Sequence, residues 1–241
     1  MEILGIKIDN LNSIEALKEI EALIENGRRG GKAGYLVKPN AEIIVKAHKD
    51  KNFADILNRA DLSLPDGIGL FLASHILKKP LKERVGDSDL MLKIVEMAAK
   101  KKYPIFLLGS KKEVVEKLRE GLKNRYKNLK VGYQDGYFSD ESEVVNKIKK
   151  DQPDIVFVAL GFPKQEIWID ENSKKLNVPL MIAEGGSFDF ISGKTNRAPI
   201  WVRKIGLEWL VRLIRQPWRF KRQLALPYFA YLVFREKLKK T

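Results

Sequence analysis

Asp154-Ile-Val-Phe-Val-Ala-Leu160, followed by Gly161-Phe-Pro-Lys-Gln-Glu166, decides the fold. The first run is almost wholly apolar and is closed by a glycine, as a strand covered on both faces is. The second opens a helical pattern that reaches Leu176. Pro179-Leu-Met-Ile-Ala183 then reads as the last strand, ending at Glu184-Gly-Gly-Ser187. Upstream the same alternation repeats. Pro104 to Leu108 is a buried-looking strand, followed by Gly109-Ser110 and a helix to about Tyr126. Leu129 to Tyr133 is a strand, and Asp140 caps a helix to Lys150.

The N-terminal third fits the same scheme. Residues 2–9 alternate as a first strand, and Ser13 can cap a helix to about Asn26. Gly34 to Val37 is a strand ending at Lys38-Pro39-Asn40, where Asn40 can cap the helix Ala41 to His48. A short helix (Asn52 to Arg59) leads to a strand over Asp61 to Leu64, which Pro65 ends because it has no amide hydrogen for the ladder. Leu70 to Leu77 is helical, and Asp87 or Ser88 can cap a helix from Leu90 to Lys101. Apolar runs alternating with amphipathic helices predict an α/β, Rossmann-like domain over residues 1–194. Its sheet is mostly parallel, with helices on both faces.

After Gly193 the pattern changes. Pro199 suits a first helical position, Ile200 to Arg215 reads as one helix, and Pro217 opens another that is bent or broken at Pro227. Residues 195–241 therefore form an all-helical appendage, and it is unusually charged. It carries twelve Lys and Arg against two Glu, ten of the chain's fourteen excess positive charges, and three of its four tryptophans (Trp201, Trp209 and Trp218). That asymmetry points to a polyanionic partner. Its most apolar run, Leu224 to Phe234, is eleven residues and too short to span a bilayer. Aromatic side chains among Lys and Arg suit a helix lying in an anionic membrane interface. The plainer alternative packs the aromatics on the α/β domain and leaves the charges solvated.

Cysteine is absent, which excludes disulfides, thiolate metal sites and a Cys nucleophile. Met1 to Ile8 lacks a basic stretch and a long apolar stretch, so no signal peptide is expected and the cytoplasm is the expected compartment.

Chemistry is expected at Leu62-Ser-Leu-Pro-Asp-Gly-Ile-Gly69, centred on Asp66. A carboxylate at the carboxyl end of a strand faces the crevice where open α/β sheets bind ligands; its bland alternative is a helix cap. The turns at Gly109-Ser110 and Glu184-Gly-Gly186 offer backbone amides to a phosphate. Neither is a dinucleotide fingerprint or a Walker loop. Asp87-Ser-Asp89 has the spacing by which many sugar-nucleotide enzymes hold a divalent cation, although carboxylates are favoured at a helix start in any case. His48 and His75 show no paired metal spacing, and a Gly-x-Ser-x-Gly elbow is absent. Arg212, Arg215, Arg219 and Arg222 share one face if the helix continues past Pro217, and forked guanidiniums suit a diphosphate.

Together these segments resemble the WecG/TagA/CpsF glycosyltransferase family (glycosyltransferase family 26), and within it the TagA-like N-acetylmannosaminyltransferases. The matches run in order through Pro39-Asn40-Ala41-Glu42, Pro65-Asp66-Gly67-Ile68-Gly69, Lys82-Glu83-Arg84-Val85, Asp89-Leu90 and Phe106-Leu107-Leu108-Gly109. They continue through Gly161-Phe162-Pro163-Lys164-Gln165-Glu166, Gly186-Ser187-Phe188-Asp189-Phe190, Arg197-Ala198-Pro199 and Gly206-Leu207-Glu208-Trp209.

The resemblance implies an inverting transfer, without metal or cofactor, of N-acetylmannosamine from its UDP donor. The implied acceptor is the C4 hydroxyl of N-acetylglucosamine on undecaprenyl diphosphate, at the inner face of the cell membrane, in wall teichoic acid or related surface-glycan synthesis. It makes Asp66 the general base. Substrate contacts fall on Lys38, Asn40, Arg84, Asp89, Gly109, Ser110, Gln165, Glu166 and Asp189, and diphosphate contacts on Arg212, Arg219 and Arg222. Two positions depart from the family pattern: Lys38, usually Thr, and Asp87, usually Gly, which can form an ion pair. They leave glucose and N-acetylmannosaminuronic acid open as alternative sugars. Nucleic acid is not an expected partner and self-association is left open. A non-catalytic basic module that binds membrane or nucleic acid is the rival reading.

Overall fold

The computed structural model describes residues 1–86, 88–217 and 220–239, without the side chains of Ser88, Ile200, Lys204, Arg212 and Lys221. Its first element is a hairpin, not the single strand expected over 2–9. Strands β1 (Glu2–Ile3) and β2 (Ile6–Lys7) pair antiparallel, and Leu4 and Gly5 have φ of 50° and 82°. Two consecutive positive φ values make the primed turn that matches strand twist. Helix α1 (Ser13–Arg28) is capped by Asn12, not by Ser13. The Asn12 side chain accepts from the Ile14 and Glu15 amides while Glu15 reaches back to the Asn12 amide, a complete capping box.

The chain then alternates as expected: β3 (Gly34–Val37), α2 (Ala41–Lys49), α3 (Lys51–Arg59), β4 (Leu62–Ser63), α4 (Gly67–Ile76) and α5 (Ser88–Lys101). Next come β5 (Ile105–Gly109), α6 (Lys112–Arg125), β6 (Val131–Gln134), α7 (Glu141–Asp151), β7 (Ile155–Ala159), α8 (Lys164–Leu176) and β8 (Leu180–Ala183). Among the described residues β3 to β8 make one parallel sheet in the order β4-β3-β8-β7-β5-β6, a Rossmann-like α/β fold.

Strand periodicity sorts the side chains into two cores. Val156 and Val158 join Phe106, Leu108, Met181 and Val37 on one face. Ile155 and Phe157 join Ile105, Leu107, Ile182 and Leu36 on the other. Both faces are sealed by helices, which is why these strands carry no polar alternation.

The appendage is more broken than its sequence suggests. After α9 (Ser187–Ile191), α10 (Ile200–Lys204) and α11 (Glu208–Arg215) are separate helices. Gly206 divides them with φ of 80°, and a Cβ there would come within 2.7 Å of Ile68. The expected single helix over 200–215 is therefore interrupted where it presses on α4. Helices α12 (Phe220–Gln223) and α13 (Ala225–Lys239) meet at Leu224, and Pro227 sits in the first turn of α13 without breaking it. A proline costs little there because first-turn amides have no helical partner. Helix α13 packs on α2 and α4, and its Phe229, Leu232 and Val233 belong to the core. Among the described residues, no helix is long and apolar enough to cross a membrane.

Candidate active site

Parallel strands bring their carboxyl ends to one edge of the sheet, and the loops there line a cavity of about 1500 Å³. Asp66 is part of the lining. Its amide donates to the Pro39 carbonyl at 2.8 Å, and the Gly86 amide donates to the Pro65 carbonyl at 2.9 Å. Gly86 lies so close that an added Cβ would stand 3.1 Å from the Asp66 Cβ. Residue 66 is thus wedged between the turn after β3 and the loop before α5. It occupies the N-cap position of α4, yet its side chain makes no capping hydrogen bond. Capping does not account for this carboxylate.

Two neighbouring strands place a buried ion pair beside it. Lys38, at the end of β3, donates through Nζ to Glu184 Oε2 at 2.6 Å, with side-chain exposures of 6% and 0%. The two strands are adjacent in the sheet, so Glu184 is the close partner of Lys38 where the sequence suggested Asp87. Asp87 lies outside the described residues. The Asn40 side-chain oxygen accepts from the Ile43 amide and caps α2 at the cavity wall. Buried Gln165 accepts from the Gly185 amide and donates to Glu166 Oε1 at 2.8 Å. Burial pushes the Glu166 carboxyl up to about 7, against the lowering influence of Gln165 and Lys38. Gln165 therefore ties the start of α8 to the turn after β8.

On the far side of the sheet, Gly109 approaches Ala159 so closely that a Cβ would lie 2.4 Å from its backbone, and its φ is 118°. Ser110 Oγ donates to Asp189 Oδ1 at 3.5 Å, and both residues line the cavity. Tyr137, a residue not singled out in the sequence, stands beside them 76% exposed and offers a stacking face.

The appendage closes the other wall. Arg84 donates to the Arg203 carbonyl at 3.1 Å. Asp89, in the first turn of α5, pairs with Arg197 and with Arg203, the latter at 3.0 Å. The oxygens of the Asp-x-Asp motif that are described thus meet guanidiniums, and Asp89 is not part of the cavity lining. Arg197 and Arg203 do line it, although the sequence reading looked to later arginines. Of those, Arg222 lines the cavity and makes a two-pronged pair with Glu42 at 2.6 and 3.0 Å. Arg219 and the Arg212 side chain lie outside the described residues. Since α11 ends at Arg215 and α12 begins at Phe220, Arg212 and Arg215 do not share one continuous helix with Arg222. Gly109 and Glu166 also stand behind the lining. Among the described residues, no three His, Cys, Asp or Glu side chains gather as a metal-binding group.

The family model for the "Glycosyl transferase WecG/TagA/CpsF family" matches residues 1–241. The chain belongs to this family. Among similar family members, a Bacillus subtilis protein is 41% identical over 204 residues, covering 84% of this chain and 80% of its own. A Staphylococcus aureus protein is 33% identical over 240 residues, covering 99% of this chain and 94% of its own. Both are named N-acetylglucosaminyldiphosphoundecaprenol N-acetyl-beta-D-mannosaminyltransferase. Family membership makes the chain a glycosyltransferase. Asp66, Arg84 and Gln165 all line the cavity.

Proposed function

We propose that the protein transfers N-acetylmannosamine from UDP-N-acetylmannosamine to the C4 hydroxyl of N-acetylglucosamine on undecaprenyl diphosphate. One observation carries the reading: a half-buried carboxylate, Asp66, stands on a cavity large enough for two sugars and a nucleotide, without being used as a helix cap. Relatives covering most of the chain are named for this transfer.

The step is a single displacement. Asp66 takes the proton of the acceptor hydroxyl as its oxygen bonds to the anomeric carbon, and the bond from that carbon to UDP breaks on the opposite face. Base assistance of this kind contributes roughly 10²–10⁴-fold. Negative charge on the departing UDP is met by Arg222, with Arg212 and Arg219 as further candidates, and by the Gly186 amide in the turn after β8. Arg84, bonded to the Arg203 carbonyl, ties the reaction centre to the appendage. Lys38 engages Glu184, so its charge is already balanced. That favours an uncharged donor sugar over a uronic acid.

Residues 195–241 act as a docking appendage on the inner membrane face. Leu207, Leu210 and Ile214 recur at helical spacing and are 38%, 38% and 73% exposed, while Trp209 of the same segment lines the cavity. Trp201 and Phe220 are also exposed, in a segment rich in Lys and Arg. A UDP-release assay tests the reading, using UDP-N-acetylmannosamine, UDP-glucose and the uronic acid donor with a short-chain lipid-diphosphate N-acetylglucosamine. Acceptor-dependent release from UDP-N-acetylmannosamine, with or without chelator, is expected. Release that ignores the acceptor would contradict it.

A further inference from the structure

The turn that carries Asp66 is loose in itself and is held from outside. Gly67, the next residue, has φ of 80°, and a Cβ there would find nothing within 4 Å. Glycine restrains its own backbone least, so the segment alone does not fix how Asp66 meets the cavity. Two other glycines press on it. The Gly86 amide donates to the Pro65 carbonyl at 2.9 Å, and a Cβ on Gly86 would lie 3.1 Å from the Asp66 Cβ. From the appendage comes Gly206, where a Cβ would lie 2.7 Å from both Cβ and Cγ1 of Ile68. Ile68 is the second residue after Asp66.

Both contacts run back to one atom. The Arg203 carbonyl accepts from the Gly206 amide at 3.0 Å and from the Arg84 guanidinium at 3.1 Å, and Arg84 shortly precedes Gly86. The Arg203 side chain is tied in turn to Asp89 of α5 at 3.0 Å, and Arg197 pairs with the same carboxylate. Asp66, Ile68, Gly206, Arg203, Arg84 and Gly86 thus close a ring, and all of them line the cavity. Because α10 is anchored on α5, pressure at Gly206 passes to Ile68 and is not relieved by retreat of the helix. We infer that Gly206 is a positioning residue: the bare joint between α10 and α11 sets the place of Asp66 through Ile68. The inference rests on the general-base reading above and adds the part that holds the base. Ordinary carbon contacts lie at about 3.5–4.0 Å, so a methyl on residue 206 displaces Ile68 by roughly 1 Å. Misplacement of that size costs on the order of 10²-fold in rate when it reaches a reacting group.

The test is a double-mutant cycle on the full chain, Gly206→Ala with and without Ile68→Ala. Ile68→Ala removes Cγ1 and Cδ1, which a Cβ on residue 206 would meet at 2.7 and 3.0 Å. The φ of 80° strains alanine equally in both backgrounds, so the cycle isolates the contact. In Gly206→Ala the kcat for acceptor-dependent UDP release should fall at least about tenfold. UDP affinity by calorimetry should stay within about threefold of wild type. On the Ile68→Ala background the same substitution should cost at most about threefold in kcat. Hydrogen exchange at the Asp66 amide, which donates to the Pro39 carbonyl, gives a readout without substrate. It should speed at least about tenfold in Gly206→Ala, while the Leu107 amide in the sealed sheet keeps its rate. Equal costs in both backgrounds, an Asp66 amide that exchanges as in wild type, or equal speeding at Leu107 would overturn the inference. Full turnover by Asp66→Asn would strike the base reading alone and leave the joint standing on the exchange data.

Discussion

The sheet and the appendage are built from the same apolar residue types and treat them in opposite ways. In β5, β7 and β8 nearly every side chain is sealed between helices, and Phe106, Phe157 and Ile182 are 0% exposed. In the appendage Trp201, Ile205, Ile214 and Phe220 are between 56% and 73% exposed, although Phe229 and Val233 beyond them are core residues. The sheet is sealed on both faces, whereas the outer face of α10 to α12 has apolar surface with no protein partner among the described residues. Clustered exposure of this kind marks an interaction surface. Burial sets the fold in one region, and in the other apolar side chains stay exposed beside positive charge.

The comparison can be broken from either side. On the buried side, Lys38→Met leaves Glu184 without its counter-charge inside the protein. A loss of about 3–5 kcal/mol in denaturant unfolding is expected, largely restored by adding Glu184→Leu. A near-neutral single variant would show that the pair is not sealed from water. A second buried group gives a pH signature. The Glu166 carboxyl is raised from 4.5 to about 7, so the folded state holds its proton longer than the unfolded one. Its share of the stability is present below about pH 4.5 and fades as pH rises through 7, by up to about 3 kcal/mol. Glu166→Gln should flatten that decline in melting profiles between pH 5 and 8, and an identical slope would place the carboxyl in a wetter setting.

On the exposed side, Trp201→Ser, Ile214→Ser and Phe220→Ser together should leave the melting temperature nearly unchanged. Partition onto anionic vesicles should fall at least about 100-fold. Unchanged partition would assign docking to charge alone. The smallest effect belongs to the rim. Arg222 is 44% exposed as it meets Glu42, so Glu42→Gln should shift stability by less than about 1 kcal/mol in unfolding experiments. A larger shift would mean that the pair clamps α12 to α2.

How far the sequence was readable follows the same division. The parallel sheet could be read because a strand covered on both faces must be apolar throughout, as Ile155 to Ala159 is. The opening hairpin could not, because its turn places Leu4 at positive φ and no Asn-Gly or Gly-Gly marks it. Gly206 did carry a local stop signal, but the reason for the stop, contact with Ile68, is tertiary. The partner of Lys38 is 146 residues away and is fixed by strand order, which periodicity does not encode. Arg197, quoted only as a family match, and Arg203 were not placed at the cavity for a similar reason, since only the folded chain sets them beside Asp89 and the cavity. Asp66 could be singled out because proline and glycine on either side place it at a strand end.

That residue supplies the most direct measurement. Asp66→Asn keeps shape and polarity while removing the base, so acceptor-dependent UDP release should fall by roughly 10²–10⁴-fold. UDP affinity measured by calorimetry on the same variant should stay within about threefold of wild type. Full turnover by Asp66→Asn, with UDP binding intact, would contradict the assignment of Asp66 as the group that takes the acceptor's proton.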